Sequence, residues 1–203
     1  MATRIAIAHT NDGRYMVFFD DDSILTTLTD SGDVVDSWLD EIYRIHRRRL
    51  KRLVVGLDVE WRPSYSRYDA PPVAVLQMCV DHRCLVFQIL HADYLPDALF
   101  DFLADDRLTF VGVGIHGDVA KLRAGYGLEP GGGECGGPSP SRRARARELR
   151  AAPGRMEKPY HVRRSPWDSR QLSYDQLKYA CADAFASFEV GRRHIGDHII
   201  RYI

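Results

Sequence analysis

Leu53-Val54-Val55-Gly56-Leu57-Asp58-Val59-Glu60-Trp61-Arg62 is the stretch that decides the fold. Its first five residues are apolar and too few for a helix, so they read as a buried strand bounded by charge. The strand then ends in two carboxylates two residues apart. Side chains at i and i+2 of a strand share one face, so Asp58 and Glu60 point the same way. A strand end entering solvent could carry one such acid. Two on one face of a buried strand call for a counterion, and hard carboxylate oxygens suit a divalent cation.

Working outward, residues 4–9, 14–19 and 23–29 read as strands, with Asn11-Asp12-Gly13 as a hairpin turn between the first two. Residues 34–48 have helical spacing, with Val35, Trp38, Leu39, Ile42 and Ile45 on one face. Beyond the central stretch, 71–80 and 84–89 read as strands joined at Asp81-His82-Arg83. Residues 95–104 read as a helix, 108–113 as a strand and 116–125 as a helix. A last helix runs from Ser173 to about Ile199, where Ser173 and Gln176 make a capping box. Strands first, then helices alternating with a strand, predict an α/β fold with a mixed sheet flanked by helices, in one domain covering 1–203.

Two more acids stand in informative contexts. Asp118 closes Val113-Gly-Ile-His-Gly-Asp118 at the start of a helix, where a carboxylate is favoured with or without a metal. Tyr179 and Asp183 lie i, i+4 on the last helix, so phenol and carboxylate stack on one face. An amphipathic helix explains that spacing equally well when it is taken alone. Joined to Asp58 and Glu60, the set reads as a two-metal phosphodiesterase site.

Other patterns carry less. Gly112, Gly114 and Gly117 match a dinucleotide-binding fingerprint, but the second strand it requires would fall on Gly131-Gly-Gly-Glu-Cys-Gly-Gly-Pro138. Those glycines read instead as places where backbone passes close to a neighbour. His194 and His198 are i, i+4 with no third ligand nearby. His46 through Arg52 is basic and suits either a nuclear localisation patch or a solvated helix end. Cys79, Cys84, Cys135 and Cys181 form no C-x-x-C pair and read as reduced thiols. No apolar run has the length of a signal peptide or a membrane span, so an intracellular protein is expected, nuclear or cytoplasmic.

Charge balances at 28 Lys plus Arg against 28 Asp plus Glu, but unevenly along the chain. Residues 142–164 carry a net charge of +7, which leaves the body at −7. An acidic body with a basic segment suits a metal site beside a phosphate path. Residues 129–157 hold six glycines, four prolines and six arginines, with Leu149 and Met156 as the large aliphatics. Such a segment is expected to be disordered and not to pack on the sheet, with at most a fraying exposed helix over 141–152. Its composition is that of a GC-rich coding sequence read in a shifted frame.

Taken together, the motifs resemble the DEDD superfamily of 3′–5′ exonucleases. Its Asp-x-Glu motif matches Asp58 and Glu60, its second motif Asp118, and its third Asp183 with Tyr179. The tyrosine four residues before the last aspartate is the DEDDy form; Lys178 stands where the DEDDh form has histidine. The wider likeness is to the Werner syndrome-type exonuclease domain in its small plant form without a helicase. It rests on Val55 to Trp61, Val75-Leu-Gln77-Met-Cys79, Phe110 to Asp118 and Trp167 to Gly191. It covers 1–128 and 158–195, and 129–157 departs from it. The resemblance implies a ribonuclease H-like fold, two Mg²⁺ or Mn²⁺ ions, and release of nucleoside 5′-monophosphates from DNA 3′ ends, or from RNA in a ribonuclease D-like variant. It implies that Asp58, Glu60, Asp118 and Asp183 are the metal ligands. Tyr179 would orient the attacking water, and Trp61, Gln77 and His116 are candidate substrate contacts. A catalytically impaired nucleic-acid-binding protein is the alternative from a different class, motivated by the altered segment.

Overall fold

The computed structural model describes residues 5–130, 145–148 and 159–200, with backbone alone for 145–148 and 194–200. In chain order the elements are β1 (Ile5–His9), β2 (Tyr15–Phe19), β3 (Asp22–Thr29), α1 (Gly32–His46), β4 (Leu53–Glu60), β5 (Val75–Val80) and β6 (Arg83–Phe87). There follow α2 (Asp97–Ala104), β7 (Leu108–Gly112), α3 (Ile115–Tyr126), β8 (Arg145–Glu148), α4 (Tyr160–Arg163) and α5 (Tyr174–Ile200). The eight strands form one mixed sheet in the order β1-β2-β3-β6-β5-β4-β7-β8. β1, β2 and β3 are an antiparallel meander, and β3 joins β6 in parallel. β4, β5 and β6 are antiparallel neighbours, while β7 returns parallel to β4 through the helical crossover of α2.

Local chemistry explains most boundaries. Gly13 turns the first hairpin at φ +80°, a conformation that costs glycine little. β5 begins at Val75 and not at Pro71, because Pro71 and Pro72 offer no N–H to a ladder. α5 opens on the expected reciprocal cap: the Ser173 N–H donates to Gln176 Oε1 (2.8 Å) and the Gln176 N–H to Ser173 Oγ (3.2 Å). Among the described cysteines, Cys79, Cys84 and Cys181 are free and buried, and burial pushes each thiol up. No helix among the described residues is long and apolar enough to cross a membrane.

One expectation is corrected. Arg145–Glu148 is neither helix nor detached from the sheet; it pairs in parallel with β7. Without it β7 would be an edge, with a row of N–H and C=O groups to satisfy. Backbone pairing satisfies them and needs no apolar stripe. Apart from Glu129 and Pro130, the rest of 129–157 lies outside the described residues, as does Cys135; the side chains of His194 and His198 are not described either.

The sheet separates two cores. Leu53, Val55, Leu57 and Val59 of β4 face one way, against Val35, Leu39 and Ile42 of α1, Leu99, Phe102 and Leu103 of α2, and Ile115 and Leu122 of α3. Val54 faces the other way, with Val75 and Cys79, against Leu177, Ala180, Cys181, Ala184 and Phe188 of α5. Alternation along β4 puts Gly56, Asp58 and Glu60 on the α5 side. Gly56 is where strand and helix touch. A Cβ there would lie 2.0 Å from the Ala184 carbonyl oxygen and 2.6 Å from the Phe188 nitrogen. Both neighbours are backbone, so α5 itself would have to move.

Gly56→Ala should therefore cost about 2–3 kcal/mol. At a few degrees per kcal/mol for a domain of this size, that is a fall of roughly 5–10 °C in melting midpoint. A melt that overlays the wild type would show that the helix is not seated as closely as described.

Candidate metal centre

Asp58 and Glu60 arrive at the C-terminal end of β4 with their carboxylates on the α5 side. Asp183 arrives from the middle of α5, one residue before Ala184, whose carbonyl covers Gly56. The helix-to-strand contact thus sets the third carboxylate beside the other two. One oxygen from each of Asp58, Glu60 and Asp183 lies within 4.8 Å of the other two, and none of the three residues is exposed. That is the spacing of a shared cation. Three carboxylates from two elements, already converged, fit a hard divalent ion better than they fit a solvated surface.

Asp118 stands apart from that trio. β7 runs beside β4, and the chain turns through Gly112 and Gly114 into α3. A Cβ on Gly112 would meet the Leu57 carbonyl oxygen at 2.5 Å, and Gly114 adopts φ +79°. Of the three glycines, Gly112 alone makes the close approach expected; a Cβ on Gly114 or Gly117 would meet nothing within 4 Å, and Gly114 is required by its positive φ instead. The turn puts Asp118 on the first turn of α3, on the stripe of Ile115 and Leu122, with 7% of its surface exposed. It is buried next to the end of β4, but its carboxylate is not within the 4.8 Å group.

Tyr179 is half-buried, one turn before Asp183 on α5, and packs against the second core. Lys178, beside it, pairs with Asp175 at 2.7 Å. His116 is exposed on the first turn of α3. Gln77 is the register partner of Asp58 and has no exposed surface. It lies beneath α5, so it meets a substrate only if that helix moves. Its side-chain nitrogen reaches the Val75 carbonyl at 3.4 Å. Trp61 follows Glu60 and therefore turns to the opposite face of the strand. It packs on the first core, with Lys121 Nζ 4.3 Å from its ring centre.

The sequence reading passed over the loop that follows Trp61. Arg62 forms a forked pair with Asp69, at 2.6 and 2.9 Å, which pulls the Asp69 carboxyl down to about 2. Asp69 also accepts the Tyr65 N–H at 2.9 Å. Arg62 reaches Asp168 at 3.7 Å, in the segment that leads to α5. Gln88 and His91 hold that segment through the carbonyls of Ser169, Arg170 and Asp168. Fully buried Trp167 anchors it. The only forward signal was an Arg and an Asp seven residues apart, which is too common to read.

The chain is similar to known nucleases. It is 35% identical over 147 residues to a 3′-5′ exonuclease of Arabidopsis thaliana, across 67% of this chain and 50% of that protein. It is 28% identical over 155 residues to the bifunctional 3′-5′ exonuclease/ATP-dependent helicase WRN of Mus musculus, across 71% of this chain and 11% of that one. It is 32% identical over 166 residues to exonuclease 3′-5′ domain-containing protein 2 of Homo sapiens, across 71% and 26%. The chain spans half or less of the length of these relatives. No family model matches. The fold is that of the Nibbler EXO domain of Aedes aegypti (TM-score 0.60, 14% identity, 81% of this chain and 84% of that one). It is shared with Escherichia coli RNase D (TM-score 0.57, 16% identity, 84% and 46%). This is the ribonuclease H-like mixed sheet expected from the sequence.

If the trio holds a cation, Mn²⁺ at a hundredfold its dissociation constant should stabilise the protein by about 2.7 kcal/mol. That corresponds to a rise of roughly 5–10 °C in midpoint. Asp58→Asn and Asp183→Asn should each remove most of the shift. An equal rise in the variants would place the ion elsewhere.

Proposed function

We propose that this chain, a homologue of the 3′–5′ exonuclease-domain proteins, is a metal-dependent 3′–5′ exonuclease that releases nucleoside 5′-monophosphates from DNA. The observation that carries the proposal is the convergence of Asp58, Glu60 and Asp183 at the end of the central strand, in a chain 35% identical to a 3′-5′ exonuclease. In this reading Asp58, Glu60 and Asp183, with Asp118 from α3, would hold two divalent ions, Mg²⁺ or Mn²⁺. Bound there, the paired ions supply Lewis-acid activation of water and neutralise charge at the leaving 3′-oxygen.

The chain's own residues do the rest. Tyr179, one helical turn before Asp183, presents its hydroxyl to the attacking water and orients it. His116, exposed at the start of α3, would contact the terminal nucleotide in this reading. Trp61 and Gln77 act from behind. Trp61 fixes the end of β4 against the first core, and Gln77 forms the floor under Asp58. Reduced buried thiols fit an intracellular setting, nuclear or cytoplasmic.

The test is degradation of a 3′-recessed duplex with Mg²⁺ or Mn²⁺, with RNA of the same sequence alongside. Asp58→Ala with Glu60→Ala should abolish mononucleotide release, and survival of activity would sink the assignment. Tyr179→Phe, which keeps the ring, should lower kcat about a hundredfold while leaving the Mn²⁺-dependent rise in midpoint intact. RNA hydrolysed faster than DNA would move the substrate class to RNA. A well-folded protein that binds single strands but cleaves neither would be a binding module.

A further inference from the structure

Directly after Glu60, the chain leaves the sheet as Trp61-Arg62-Pro63-Ser64-Tyr65-Ser66-Arg67-Tyr68-Asp69. Tyr65 is 81% exposed and Tyr68 82%, the two most exposed large hydrophobic residues among those described. Rings left in water on a loop contribute nothing to the core. Yet the backbone that carries them is held. Asp69 clamps Arg62 and the Tyr65 N–H, the Asp69 N–H donates to the Ser66 carbonyl at 3.1 Å, and the Tyr68 N–H donates to Ser66 Oγ at 3.3 Å. Each ring is also backed by a guanidinium. Arg62 lies 5.0 Å from the Tyr65 ring centre and Arg67 4.7 Å from that of Tyr68. Arg62 is neutralised by Asp69, whereas Arg67 is exposed and has no carboxylate partner among the described residues.

Resting on the exonuclease reading, we infer that Tyr65 and Tyr68 form a stacking platform for bases of the nucleic-acid strand upstream of its 3′ end. Arg67 meets the adjoining phosphate. Three features point to nucleic acid as the occupant. Aromatic faces interleaved with arginine are the chemistry of single-strand grip, since every base has a π-face and every linkage a charge. The rings are pre-set, so binding loses little rotamer freedom. The place is also right. Five residues reach at most about 17 Å, so Tyr65 lies within about five stacked nucleotides of Glu60. Asp69, clamped to Arg62, keeps Tyr68 near the same point.

The platform is separable from the chemistry. Binding of a fluorescein-labelled twenty-nucleotide single strand is followed by anisotropy in EDTA. Hydrolysis of the same strand, and of thymidine 5′-(p-nitrophenyl phosphate), is followed with Mn²⁺. The small ester has no upstream base. Tyr65→Ala and Tyr68→Ala should each raise Kd and KM for the strand about fivefold or more, and leave turnover of the ester unchanged. Tyr65→Phe and Tyr68→Phe should bind like the wild type. Arg67→Gln should lessen the slope of log affinity against log salt by about one. Alanine variants that bind normally overturn the platform while leaving the exonuclease reading in place. Equal loss on the ester also overturns it, because the loop would then be supporting the site. If the wild type cleaves neither substrate but the alanine variants still lose binding, the exonuclease reading fails and the platform stands.

Discussion

The close approach of α5 to β4 at Gly56 is the constraint from which the rest follows. A helix seated on a sheet with ordinary side chains between them stands about a side chain's thickness away. Here no side chain intervenes, because the Ala184 carbonyl sits where a Cβ would be. The helix carries Asp183 down with it, so that a carboxylate oxygen lies within 4.8 Å of those of two carboxylates that belong to the strand. Gly191 repeats the device further along, where a Cβ would strike the Val111 side chain of β7 at 2.7 Å. Two glycines, one on each partner, thus set the height of the helix above the sheet.

That closeness has an electrostatic cost. Unit charges 4.8 Å apart repel by about 3–4 kcal/mol at an effective dielectric near 20. Three ionised carboxylates at that separation would repel, and apolar contacts elsewhere would hold them together. The two cores do so, and α1, α2 and α3 on the far face stiffen β4 from behind. A divalent cation would reverse the sign of that interaction and stabilise the cluster.

How much of this was legible depended on whether a feature is periodic. Asp58 and Glu60 share a face by the period of two, and Tyr179 and Asp183 by the period of nearly four. Both placements could be read before any coordinates existed. Ser173 and Gln176 announced the start of α5 by their spacing. The pairing of Arg145–Glu148 with β7 was not legible, because an edge ladder recruits backbone and places no demand on side-chain pattern. The burial of Gln77 was hidden for a related reason. A single polar residue in an apolar strand looks the same whether it faces a cleft or lies under a helix, and only the position of α5 decides. Trp61, next to Glu60 in sequence, falls by the same period of two on the other face of the strand, where it packs on the first core.

The division between what was read and what was not also divides the site by function. Asp58, Glu60, Asp183 and Tyr179 sit on β4 and α5, elements seated on each other by buried contacts. Tyr65, Arg67 and Tyr68 sit exposed on the loop after Glu60, held by the ion pairs of Arg62 with Asp69 and Asp168 and by a few backbone bonds. In the proposed reading a strand would be gripped there without disturbing the carboxylates, because these three side chains contribute nothing to the core. Discrimination between DNA and RNA would then be a property of that loop and of the rim around His116, where a 2′-hydroxyl could meet protein. If the carboxylate centre cleaves phosphodiesters and the separately anchored loop selects them, substrate preference can change while the chemistry stays the same.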